Sequence, residues 1–179
     1  MRLVRSVVPL LAVLATLLLA AGCGSQGAYG PAAIATATPK PTATPKVAHA
    51  GQSAPQILAG LKAKGLPIGE SVTYTDATDL NHLLGRPGQY VGKVNFKDTR
   101  IPDSGNHDVA IEVGDGGSIE VFATQADATK RFTYVQGIAS SSALFAEYDY
   151  QDGLVVLRVS KILTPAQAQA YQAALQALP

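Results

Sequence analysis

The sequence predicts one α+β domain, in which a mainly antiparallel sheet has helices packed on one face as a two-layer sandwich. Segments with a two-residue apolar period and segments with a helical period alternate along residues 53–179. Short turn signals, rather than long crossovers, separate most of the strand-like segments, and such turns join antiparallel neighbours. About 125 residues remain after a leader and a polar linker, which is enough for one core.

Three segments are predicted to be helices, because each has a capping residue followed by apolar residues at helical spacing. A side-chain oxygen at that position accepts hydrogen bonds from backbone amides that the first turn leaves unpaired. Such residues begin the segments 53–64, 124–139 and 164–178. Asp79 is expected to cap one further helical turn, which the glycine and proline residues of 85–88 would end.

The other regular segments alternate apolar and polar residues, as half-buried strands do. They are 71–75, 90–97, 109–114, 118–123, 145–151 and 154–160. A hairpin is predicted around Asp115-Gly116-Gly117. In that register Glu112 and Glu120 would lie opposite each other on the solvent side of the sheet.

The last two strands are predicted to meet at Asp152-Gly153, a dipeptide typical of two-residue hairpin turns. Tyr148 and Tyr150 share one face of the first of these strands. We expect them to pack beneath a helix, although aromatic side chains beside carboxylates also stack on sugars or bind peptides.

The charge balance excludes one class of partner. The whole chain has 14 basic and 13 acidic residues, but four of the basic residues precede the predicted domain. That domain is therefore mildly acidic and has no cluster of lysine and arginine of the kind that displaces counterions from a nucleic acid. No nucleic acid is predicted as a partner.

Residues 1–22 have the layout of a secretory signal, with a positive start, an apolar run and small residues before Cys23. This arrangement resembles the lipobox of bacterial lipoproteins, with Ala20 where a leucine is more usual. The resemblance implies a diacylglycerol on the Cys23 sulfur, cleavage before Cys23, and acyl chains such as palmitate that together hold a protein on a bilayer. The alternative is an uncleaved signal anchor. Both place the domain on the outer face of the cell membrane.

Residues 23–52 are expected to form a disordered linker, because alanine, threonine and proline dominate and apolar periodicity is lacking. The threonines beside prolines could accept O-linked sugars; the alternative is that the segment is an unmodified spacer. Cys23 is the only cysteine, so no internal disulfide is expected. The predicted organisation is a signal peptide over 1–22, a lipidated cysteine with a linker over 23–52, and one α+β domain over 53–179.

The sequence lacks the common nucleophile-elbow, phosphate-binding, metalloprotease and dinucleotide-binding motifs, so no catalytic residue and no cofactor are predicted. The densest polar chemistry lies in two predicted loops that flank the first long strand. The candidate ligand-binding residues in these loops are Asp79, His82, Arg86, Arg100, His107 and Asp108.

These loops leave the metal unknown and several alternatives open. His82 and His107 could converge with a carboxylate as a zinc site or an acid–base pair, because imidazole binds zinc and titrates near neutrality. Asp103, Asn106 and Asp108 offer oxygen ligands for Ca²⁺, although the residue order differs from that of an EF-hand. A capping role for Asp79 with solvated histidines is the structural alternative.

Segments 65–96 and 163–175 resemble a domain of uncharacterised lipoproteins from actinobacteria and related monoderm bacteria. The resemblance implies a position outside the membrane and brings no activity or ligand with it. We expect a non-catalytic binding or accessory module of the cell envelope, with the membrane and a cell-envelope ligand or protein as partners. The alternatives are a metal-dependent envelope hydrolase using His82 and His107, and a structural envelope component with a broad apolar patch on the sheet.

Overall fold

The computed structural model describes residues 46–102 and 110–179. In chain order the elements are α1 (Ala54–Ala63), β1 (Ile68–Thr73), β2 (Tyr90–Asp98), β3 (Gly116–Phe122), α2 (Gln125–Ser141), β4 (Glu147–Asp152), β5 (Val155–Ser160) and α3 (Pro165–Gln176). Short 3₁₀ turns lie at Val113–Asp115 and Ala143–Phe145. None of the helices within these ranges is long and apolar enough to cross a bilayer.

The five strands form one sheet in the order β1-β2-β3-β5-β4, and every neighbouring pair is antiparallel. The predicted α+β class and the antiparallel sheet are therefore confirmed. The β4–β5 hairpin turns near Asp152 and Gly153, as predicted. The last helix begins after Thr164, as predicted, and Thr164 forms a capping box with Gln167.

One face of the sheet, which we call the apolar face, packs against α1 and α3. Its strand residues are alternate positions of β2, β3 and β5, all of them buried: Val94, Phe96, Ile119, Val121, Val155, Leu157 and Val159. The Phe96 ring stacks on the Tyr171 ring of α3 with centroids 5.5 Å apart. Tyr148 and Tyr150 also pack against this core, as predicted.

The structure differs from the predicted two-layer arrangement in the position of α2, which packs on the opposite face. There Ala128 and Val135 of α2 form a second apolar cluster with Tyr90, Phe122 and Val156. The apolar spacing of α2 predicted a helix with one buried side. That spacing does not encode which face of the sheet the side covers, and Phe122 and Val156 need cover on this face.

The predicted hairpin at 115–117 does not form. Residues 110–112 lead into the 3₁₀ turn, and β3 pairs directly with β2 and β5. A Cβ at Gly116 would collide with the backbone of β2, and one at Gly117 with the backbone of β5. This glycine pair therefore serves close strand packing, and Glu120 is buried rather than on a solvent side.

Residues 46–52 were predicted as the end of the disordered linker, but the structure packs them against the β4–β5 turn. His49 is only 2% exposed, and its ring contacts Gln52 and, at 3.1 Å, the Asp152 carboxylate. Leu154 N–H donates to the Ala48 carbonyl. The packed domain therefore starts before residue 53, whereas Cys23 and most of the predicted linker lie outside the described residues.

Candidate functional site

The second face of the sheet, which we call the charged face, carries polar and charged residues at alternate strand positions. Cross-strand register places Asn95, Ser118, Arg158 and Asp149 side by side on β2, β3, β5 and β4. We call these four residues the polar row. Lys93 and Glu120 are paired in the neighbouring row.

Asp79 anchors the segment before β2 to this face. Its side chain is fully buried and accepts hydrogen bonds from Leu83 N–H, Leu84 N–H, the Tyr90 hydroxyl and Lys93 Nζ. Burial alone would raise the pKa of Asp79, but the hydrogen bonds from Tyr90 and Lys93 lower the pKa well below its ordinary range. Asp79 is an ionised structural anchor of a run of turns, not the cap of a helical turn.

Two bidentate ion pairs occupy the middle of the charged face. Arg131 of α2 donates to both carboxylate oxygens of Glu120, at 2.7 and 2.8 Å. Arg158 donates through Nε and Nη2 to Glu147, at 2.8 and 2.9 Å. The first pair connects α2 to the sheet. In the second pair Arg158 Nη1 is not used: it lies 3.6 Å from Glu120 Oε1 and makes no direct hydrogen bond to a described residue.

Asp149 lies beside Arg158 with almost no exposed surface. Burial and the neighbouring Glu147 carboxylate raise the pKa of Asp149 to about 7. The nearest approach of its Oδ1 to Arg158 is 4.0 Å, which is too long for a hydrogen bond. The polar row therefore ends in a carboxyl group that the fold holds partly protonated near neutrality.

Three buried polar atoms have no hydrogen-bond partner in the part of the chain that the structure describes, and all three belong to the polar row. They are Asn95 Oδ1, Ser118 Oγ and Asp149 Oδ1. Asn95 Nδ2, by contrast, donates to the Ile111 carbonyl at 2.7 Å and is fixed in place. Buried polar groups are nearly always paired, so these three atoms are the ones on the charged face that are free to bond a further polar group.

Two cavities open on the charged face, one between α2 and the turns at 81–89 and the other between the turns at 80–81 and 111–114. The larger, of about 500 Å³, is lined by residues that include Asn81, Gln89, Lys130, Arg131, Tyr134 and Arg158. The smaller, of about 250 Å³, is lined by residues that include Tyr74, Asn81, Asn95, Glu112, Ser118 and Arg158. Asn81 and Arg158 line both cavities, so the two adjoin at these residues.

The structure describes four of the six candidate residues that the sequence predicted, and it does not bring these four together. Asp79 is buried under the charged face, whereas His82 and Arg86 are exposed in the following turns. Arg100 instead pairs with Asp98 through two side-chain bonds and belongs to the far end of β2.

Arg100 also lies on the other side of the sheet. Asp98, its partner, accepts a 2.7 Å hydrogen bond from Tyr171 of α3, which covers the apolar face. Asp79 and Arg100 therefore cannot contribute to one site. His107 and Asp108 lie outside the described residues, as do Asp103 and Asn106.

Within the described ranges, no group of three or more histidine, cysteine, aspartate or glutamate side chains is arranged to hold a metal ion. The smaller cavity is lined instead by the Arg158 guanidinium, the Ser118 hydroxyl and the Asn95 amide, which suit binding of a polar molecule. Ser118 and Arg158 were not predicted as site residues. The only sequence signal for these two residues was the alternation of polar and apolar residues along each strand. Such alternation indicates that the sheet has a second face, but it does not indicate what covers that face.

No family model matches the chain, and neither a curated protein nor a solved structure matches it.

Proposed function

We propose that the protein is a lipid-anchored binding module on the outer face of the cell membrane, which holds a small polar ligand over the polar row. One observation carries the proposal. Asn95 Oδ1 and Ser118 Oγ are buried in the lining of an open cavity and have no hydrogen-bond partner among the described residues, so a ligand's N–H or O–H groups would satisfy them.

The ion pairs around the cavities favour binding over catalysis. Arg131 is held by Glu120, Arg158 by Glu147, and Lys93 by Asp79 at 2.9 Å. Groups locked in such pairs are suited to orienting a ligand, since proton transfer through them would leave a buried charge unpaired. The charged side chains of this face also argue against a structural envelope component, because that alternative predicted a broad apolar patch on the sheet.

The anchoring half of the proposal rests on the sequence before the domain. The positive start, the apolar run and Cys23 support a lipoprotein signal. A protein tethered in this way would meet cell-envelope components directly, which makes fragments of the cell wall the first ligands to test.

Anchoring is tested by expressing the full chain with radiolabelled palmitate, beside the variant Cys23→Ser. We expect label and membrane association for the native chain and neither for the variant. Protease added to intact cells should digest the domain. An unlabelled native chain, or one protected from protease, would contradict the anchoring.

Binding is tested by titrating the full chain with soluble muropeptides from muramidase-digested peptidoglycan and recording amide chemical shifts by NMR. We expect the shift changes to concentrate at Asn95, Ser118 and Arg158. Changes confined to the apolar face, or none at millimolar concentration, would overturn the proposed site.

A further inference from the structure

The spacing of the polar row sets the size of the ligand. Asn95, Ser118 and Arg158 lie on three adjacent strands and are directly paired in register. Neighbouring strands are about 4.8 Å apart, so the three groups span about 10 Å. The cavity above them, about 250 Å³, falls below the ~300–1,000 Å³ typical of drug-sized ligands. A single sugar ring with its substituents matches this span.

Arg158 forms the end of the site that would bind an anionic group. A guanidinium has five N–H donors, and Glu147 accepts one hydrogen bond from Nε and one from Nη2 in a bidentate pair. Nη1 lies 3.6 Å from Glu120 and makes no direct hydrogen bond in the described ranges. Because Arg158 lines both cavities, Nη1 can present a charged donor to a ligand while the ion pair with Glu147 stays intact.

The potential around the cavities is uneven. Lys130 is exposed in the lining of the larger cavity and forms no ion pair with the described residues, so it adds positive potential on the Arg158 side. Glu112 lines the smaller cavity and opposes an anion there. A ligand carboxylate is therefore expected at Arg158, with the uncharged part of the ring directed towards Asn95.

The other two groups select hydroxyls. The hydrogen bond from Asn95 Nδ2 to the Ile111 carbonyl fixes the orientation of the amide group. Asn95 Oδ1 is a carbonyl oxygen and can only accept a hydrogen bond. The Ser118 hydroxyl can donate or accept. Neighbouring hydroxyl groups on a ring supply a donor to Asn95 Oδ1 and either role to Ser118.

We infer that the ligand is a sugar acid, with its carboxylate on Arg158 Nη1 and ring hydroxyls on Asn95 Oδ1 and Ser118 Oγ. The inference rests on the proposed binding function and narrows its ligand class. It requires no covalent step and no movement of the Glu120–Arg131 pair.

The test compares matched sugars by isothermal titration calorimetry on the full chain. The pairs are glucuronic acid with glucose, and N-acetylmuramic acid with N-acetylglucosamine, because only the acid of each pair has a carboxylate, at C6 in the first pair and on a 3-O-lactyl group in the second. We expect the acid to bind at least about tenfold more tightly in one or both pairs, as one charge-assisted hydrogen bond predicts. Equal affinity in both pairs would overturn the sugar-acid class and leave the binding function standing. No binding in either pair, with a muropeptide response at the polar row, would likewise reject the sugar acid alone.

Two variants separate binding from folding. Ser118→Ala removes a buried hydroxyl that has no hydrogen-bond partner within residues 46–102 and 110–179, so we expect about three- to tenfold weaker acid binding with an unchanged or higher melting temperature. A lower melting temperature with unchanged affinity would assign Ser118 to the fold and overturn its role. Lys130→Gln should reduce the preference for the acid about twofold to fivefold. Lys64→Gln, an exposed control at the end of α1, should leave the preference unchanged.

Discussion

Lys93 Nζ lies 2.9 Å from Asp79 Oδ1, and both side chains are almost completely buried. Lys93 also lies over the Tyr74 ring at 4.7 Å from its centroid, so the ammonium is enclosed by a carboxylate and an aromatic face. An ion pair removed from water in this way becomes a large liability when one partner is lost. The position of the turns before β2 therefore depends on the Asp79–Lys93 ion pair.

Asp79→Asn is expected to destabilise the domain by about 3–5 kcal/mol, because Lys93 is left buried without an opposite charge. Urea unfolding at neutral pH measures the loss. Asp76→Asn, an exposed carboxylate of the same segment, is the matched control and should stay within about 0.5 kcal/mol of the native chain. Equal effects of the two substitutions would contradict a structural anchor at Asp79.

Low pH is expected to destabilise the domain through the same Asp79 carboxylate. The pKa of Asp79 is lowered in the fold, so its stabilising contribution is present above the unfolded pKa and is lost as pH falls. We expect the free energy of unfolding to decrease below about pH 4 in the native chain, and this decrease to be smaller in Asp79→Asn. Parallel curves for the two chains would assign the acid sensitivity to other groups.

Asp149 should show the opposite pH dependence. Its folded pKa is raised to about 7, so the folded chain binds a proton that the unfolded chain releases from about pH 4 upward. The free energy of unfolding should therefore fall as pH rises from about 4 to 7, by at most ~4 kcal/mol. Asp149→Asn should remove this fall and be the more stable chain at pH 8. Identical pH profiles would show that Asp149 does not hold its proton in the fold.

His49→Ala tests whether residues 46–52 belong to the packed domain. The substitution removes the ring contacts with Gln52 and Asp152 and should destabilise by about 1–3 kcal/mol. His82→Ala is a matched control, because both histidines have positive φ, 61° and 51°, but His82 is exposed. A similar small effect of both would mean that the His49 turn adds nothing to stability.

Gly153→Ala tests the same contact from the other side. Gly153 has φ 51°, and a Cβ there would collide with the Ala48 carbonyl. We expect a loss of about 2–4 kcal/mol, since backbone strain and overpacking both act. Gly85→Ala, at φ 76° with open space around its Cβ position, should lose only about 1–2 kcal/mol. Equal losses would mean that the Ala48 contact gives way without strain.

Local signals in the sequence predicted much of the fold. The Thr164 capping box and the Asp152-Gly153 turn depend on neighbours in the chain, and the structure contains both. The glycines at 116 and 117 gave the opposite result. A glycine pair between apolar runs favours a turn from local sequence alone, whereas here it permits close approach of two other strands.

The candidate site was harder to predict because it depends on contacts between distant parts of the chain. Asp79 has the sequence context of a cap, but its hydrogen bonds to Tyr90 and Lys93 come from a strand beyond the next turn. Ser118 and Arg158 are separated by 40 positions in the sequence and become neighbours only through the β3–β5 register. No local pattern encodes that pairing.

The turn at His49 also decides how the domain responds to mechanical force. Tension on the preceding chain would reach the domain at Ala48 and His49, which are clasped to Leu154 and Asp152 at the end of the β4–β5 hairpin. The force would therefore break the contacts of Ala48 and His49 with the hairpin before it acted on α1. Helix α1 is therefore protected from the force until the contacts of Ala48 and His49 with the hairpin have broken.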